Sequence, residues 1–159
     1  MNPTFESPEI AVLYEFPGTP CRVAALAREG DDAYAVVDVG AEGQPYLYGI
    51  SLTRRDGGWE ARTSGNGPGW TLTDPERDLG TATEWGEAPA GAVRLRATFG
   101  GETREVPVAG GVYLAAWWRV PADGSVRVDA FQVQGRWIPA PPEQRPGARP
   151  HPSKPRPSR

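Results

Sequence analysis

Apolar and polar positions alternate along much of the chain, and the pattern is clearest from Ala92 to Val120, AVRLRATFGGETREVPVAGGVYLAAWWRV. Two strands joined by Gly100-Gly101 form a hairpin there, because a two-residue hairpin loop requires positive φ and glycine supplies it without steric cost. That loop sets Phe99 opposite Glu102, Thr98 opposite Thr103, Arg96 opposite Glu105 and Leu95 opposite Val106. Val93, Leu95, Val106 and Val108 then share one face, and the Thr-Thr and Arg-Glu pairs share the other. A slip by one residue would move every one of them to the wrong side. Gly110-Gly111 leads into a third strand, Val112–Val120. Parity puts Leu114, Ala116, Trp118 and Val120 on its apolar face and Tyr113, Ala115, Trp117 and Arg119 on the other. The expectation is Trp118 in the core and Trp117 on the outer or inter-module face.

The same reading extends in both directions. Ser7-Pro8-Glu9 starts a helix over 8–16: serine caps it, proline occupies the first turn, and Pro17-Gly18 ends it. Strands follow over 22–29 and 33–39, then over 46–54 and 58–63 with a turn at Asp56-Gly57, giving a four-stranded meander. Ser64 to Trp70, SGNGPGW, is too rich in glycine to be a regular element, and Leu72 to Leu79 is turn-like. A strand is expected over 81–86 and a last one over 125–134. Its apolar parity switches between Val128 and Phe131, which predicts a bulge near Asp129-Ala130. Trp137-Ile138 closes the folded part.

The fold class is therefore mainly β: a short N-terminal helix and two packed antiparallel modules, a meander and a β-sandwich-like unit. The organisation reads as 1–70 for the helix and meander and 71–138 for the second module. Residues 139–159 form a Pro/Arg-rich tail expected to be disordered, because it lacks the large apolar groups needed to offset chain entropy.

Charge divides along the same line. Through Ile138 there are 12 arginines against 19 carboxylates, a net of −7; the tail has five basic residues against one glutamate, a net of +4. An acidic body repels phosphate backbones, so nucleic acid or another polyanion is expected to engage the tail alone, and weakly. No signal-like or membrane-spanning apolar run is seen, and the expected location is cytoplasmic.

The chemistry-bearing residues are sparse. His151 is the single histidine and lies in the tail; Cys21 is the single cysteine. No histidine-based triad, metal-ligand set or phosphate loop can be assembled in the body, so no catalytic residue, metal site or cofactor is assigned. Six tryptophans remain, several near turns. Aromatic groups beside a glycine-rich loop offer a platform for a partner, which singles out Asn66, Trp70 and Trp117 as binding residues. The reading is a non-catalytic, protein-binding chain, with a plug role for Trp70 as its structural counterpart. Two alternatives are a small-ligand binder or enzyme with a pocket in residues 8–70, and polyanion binding through the tail.

The helix and meander, with Asp56-Gly57-Gly58-Trp59, resemble part of the cystatin-like cone fold over about residues 8–63. That likeness implies a cone-shaped pocket and maps no catalytic residue onto this chain. VRLRATFGGETREVPVAGGVYLAAWW resembles segments of uncharacterised actinobacterial-type small β-rich proteins, which implies no activity.

Overall fold

Three antiparallel sheets and one helix account for the computed structural model, which describes residues 3–41, 43–65 and 67–141. Helix α1 spans Pro8–Tyr14; the Ser7 hydroxyl accepts from the Ile10 N–H at 3.2 Å, and Pro8 and Glu9 occupy the first turn. The strands are β1 (Arg22–Glu29), β2 (Asp32–Asp38), β3 (Leu47–Arg55), β4 (Gly58–Gly65), β5 (Gly69–Asp74) and β6 (Leu79–Glu87). They continue with β7 (Ala92–Phe99), β8 (Glu102–Pro107), β9 (Val112–Val120), β10 (Arg127–Val133) and β11 (Arg136–Pro139). The first sheet is the meander β1-β2-β3-β4. The middle sheet is β5-β6-β9, and the outer sheet is β11-β10-β7-β8.

Side-chain alternation explains the stacking. On one face of the first sheet, Ala33, Ala35, Val37, Ile50, Leu52 and Trp59 meet Ala11 and Val12 of α1. On the opposite face, Tyr34 and Val36 meet Trp85, Val112, Leu114 and Ala116 of the middle sheet. The far face of the middle sheet, with Ala82, Tyr113, Ala115 and Trp117, meets Leu95, Ala97, Val128 and Phe131 of the outer sheet. The layers therefore run helix, first sheet, middle sheet, outer sheet, and β9 is buried on both faces from Val112 to Ala116. A strand between two layers has no solvent-facing side, which is why VYLAAW shows no charged residue. Tyr34 crosses the first of these interfaces: its hydroxyl accepts from Trp85 Nε1 at 3.2 Å and lies directly over Gly49, where a Cβ would collide with it.

The β7–β8 register is the expected one in all four pairs, and the two threonine hydroxyls are 2.9 Å apart. The β10 bulge falls at Asp129, between Val128 and Ala130, and the Asp129 carboxylate accepts from the Thr98 hydroxyl. Arg96 stacks on Trp137 at 4.1 Å, while Glu105 is bridged by Arg94 at 3.8 Å. Val93 is half-exposed at the strand end and joins no core.

Other expectations are corrected. The turn-like stretch after Trp70 contains strand β5, whose packing is made possible by Gly80: a Cβ there would meet the Trp70 ring at 2.6 Å. The helix ends two residues before Phe16. The parity reading of β9 fails at its end. Gly80 pairs with Val120 but Ala82 pairs with Trp117, so β9 spends one extra residue there, and Arg119 has φ +59°. That bulge turns Arg119 toward the first sheet, where its Nε lies 3.3 Å from Asp32, and returns Val120 to the side of the outer sheet. Trp117 is the buried member of the pair, at 5% exposure, and Trp118 is half-buried. Among the described residues no helix is long and apolar enough to cross a membrane.

Candidate functional site

The residues singled out from the sequence land in different places. Asn66 lies outside the described residues. Trp70 and Trp117 come together: both pair with Ala82, on β5 and β9 respectively, so the two indoles flank a small residue in one row across the middle sheet. Both face the outer sheet and not solvent. Trp70 Nε1 donates to the Val120 carbonyl at 2.9 Å, tying the β5 edge across β6 to the end of β9. Trp70 is thus placed as a strut of the middle sheet.

The opening that the fold does provide lies beside β9, where three sheet edges converge. β1 is the edge of the first sheet, β9 of the middle sheet and β8 of the outer one. Together they line a groove of about 420 Å³, within the range of ligand-sized sites. Its walls are Ala24, Ala25 and Ala27 from β1, Leu114 and Ala116 from β9, and Val106 from β8. The alanines are the reason the groove is narrow. β1 and β9 have Cα atoms within 8 Å of each other, closer than the roughly 10 Å of ordinarily stacked sheets.

Residues of β8 close one end. Arg104 Nε lies 2.6 Å from Glu102 Oε1, and the same oxygen accepts from Trp117 Nε1 at 2.7 Å. The Arg104 guanidinium stacks on the Trp117 ring at 4.6 Å, and its Nη1 donates to the Ala116 carbonyl at 3.3 Å. The Trp117 hydrogen bond, and then that from Arg104, hold the Glu102 carboxyl below its ordinary range, although the carboxylate itself stands in solvent. Trp118 lines the same groove, and among the described residues its buried Nε1 has no hydrogen-bond partner.

The Ala116–Arg104 bond also reveals the polarity of the β9 edge. In an antiparallel ladder the backbone groups of alternate residues point to the same side. With Ala116 O facing away from β6, the N–H and C=O of Leu114 face the groove too. Val112 fits the same alternation, its N–H reaching outward to Ala109 O at 3.4 Å.

Sequence reasoning named one residue that lines this groove, Trp117, and missed the groove itself. The signals present were the alanines of VAALA in a strand, which mark close approach of another layer, and Pro107, which is tolerated on an edge strand. Neither says which edges meet. Comparison with family models, with curated proteins and with solved structures finds no match to this chain.

Proposed function

We propose that this chain is a non-catalytic protein-interaction module that receives an extended segment of a partner protein along β9. The observation that carries the reading is the convergence of the β1, β8 and β9 edges on one apolar groove, with outward-facing backbone groups at Leu114 and Ala116. An added strand would hydrogen-bond to the Leu114 groups, displace Arg104 from the Ala116 carbonyl and extend the middle sheet, the mode in which backbone supplies affinity and side-chain pockets supply selectivity. The alanine wall admits small or β-branched apolar side chains.

A random decapeptide display selection against the full chain tests this. The expected enrichment is for alternating small apolar residues. Binding should be lost in Ala27→Arg, which fills the groove, with an unchanged circular dichroism spectrum. Amide shifts on adding a selected peptide should concentrate at Leu114 and Ala116. No enrichment, or shifts confined elsewhere, would overturn the proposal.

A further inference from the structure

Helix α1 carries two apolar stripes. Pro8, Ala11 and Val12 are buried, the last two against the first sheet. Ile10, Leu13 and Tyr14 repeat the same i, i+3, i+4 spacing on the opposite side, where they are 48%, 44% and 56% exposed. The Tyr14 ring lies 4.9 Å from that of Phe5, so the outer stripe continues into an aromatic pair. Three of the six exposed large apolar side chains among the described residues fall within these five positions, which makes them a patch and not scatter. A helix that is apolar on both sides is ordinarily covered on both.

The surrounding charge selects what covers it. Glu6, Glu9 and Glu15 flank the stripe, all three exposed, and among the described residues none has an ion-pair partner. Arg28 and Arg54 stack on the Trp59 ring beneath the helix at 4.9 and 5.6 Å, and Arg54 is held by Asp31 at 2.8 Å. Four carboxylates against two guanidiniums leave this side acidic. An anionic membrane, or the same face of a second copy, would bring like charges together, which disfavours both. A basic occupant is complementary.

The chain contains such a segment. Residues 142–159 follow the last described residue and hold five basic side chains against Glu143 alone, with six prolines among them. Pro152 and Pro155 have P-x-x-P spacing, with Lys154 and Arg156 beside them. Proline-rich segments favour an extended left-handed helix and dock on aromatic surfaces at a low entropy cost. Length permits the meeting. The layers run from α1 through the first and middle sheets to the outer sheet, so at about 10 Å per layer α1 lies roughly 30 Å from the end of β11. Eighteen residues at about 3.1 Å each span roughly 56 Å, enough to pass around the sheets.

We infer that the outer face of α1 is a docking surface for a basic, proline-rich segment, and that its occupant is the 152–159 end of this same chain. Proline rings cover Ile10, Leu13 and Tyr14, and the basic side chains meet Glu9 and Glu15. The inference is independent of the β9 groove.

A nitroxide attached at Ser158→Cys in the full chain, with Cys21→Ser removing the other thiol, tests the contact. The amide signals of Ile10, Leu13 and Tyr14 are expected to lose more than half their intensity, while those of Leu114 and Ala116 keep theirs. In a mixture of labelled chain with unlabelled, isotope-enriched chain, no loss is expected; a loss there would assign the contact to a second copy and overturn the inference. Glu9→Lys with Glu15→Lys should restore at least half of the lost intensity. Leu13→Gln, which leaves the charges in place, should do the same with an unchanged circular dichroism spectrum. No loss at α1, or a loss of equal size in both variants, overturns the inference.

Discussion

The Trp117 indole N–H donates to the Glu102 carboxylate at 2.7 Å, joining a buried strand to the exposed start of β8. The bond has a pH signature. Glu102 titrates lower in the folded chain than unfolded, so its contribution is fully present above the ordinary glutamate range and is lost as pH falls through the depressed value. Denaturant midpoints measured from pH 6 down to pH 3 should fall less steeply for Glu102→Gln than for the parent. Equal slopes would show that the contact does not persist in solution.

Asp32 runs the opposite way. Desolvation raises its carboxyl, with Arg119 opposing, so stability linked to it is lost as pH rises from the ordinary aspartate value through the raised one. Asp32→Asn should therefore be neutral or stabilising at pH 7 in urea denaturation. A marked loss would show that the Arg119 pair outweighs the burial.

The two adjacent tryptophans of β9 should differ in a direction opposite to strand parity. Trp117→Ala removes a nearly buried ring packed on Phe99 and Arg104 and is expected to cost about 3–5 kcal/mol. Trp118→Ala removes a half-buried ring whose buried N–H has no partner among the described residues, and should cost less than about 2 kcal/mol. Urea curves of the pair decide the order.

Gly49 and Tyr34 form a lock between the first and middle sheets. Gly49→Ala forces a Cβ into the Tyr34 hydroxyl and to 2.9 Å from the Trp85 ring, an overpacking expected to cost about 1–3 kcal/mol. Tyr34→Phe strands the Trp85 N–H, at about 1–3 kcal/mol. In the double mutant the losses should not add, since the missing hydroxyl relieves the clash. Additive losses would place the strain elsewhere.

Arg104 guards the β9 edge by occupying the Ala116 carbonyl. Exposed edges invite pairing with other chains, and charged side chains blunt them. Arg104→Met keeps an unbranched stem and frees the carbonyl, so sedimentation velocity should reveal concentration-dependent self-association absent from the parent. A monomer at all concentrations would mean that β1 and β8 protect the edge without Arg104.

What the sequence by itself determined is local. The α1 cap, the Gly100-Gly101 hairpin with its four pairs, and the bulge at Asp129 each follow from residues a few positions apart, where φ requirements and two-residue periodicity leave one solution. The tertiary structure decided what depends on distant contacts. Trp70 reaches Val120 across 50 residues and Trp85 reaches Tyr34 across 51, and no periodicity along the chain encodes either meeting. The position of β9 between two layers exchanged the roles of Trp117 and Trp118, because a strand buried on both faces has no solvent side for alternation to report. The groove arises in the same way: it is bounded by edge strands from three different sheets, and its width is set by how the sheets stack.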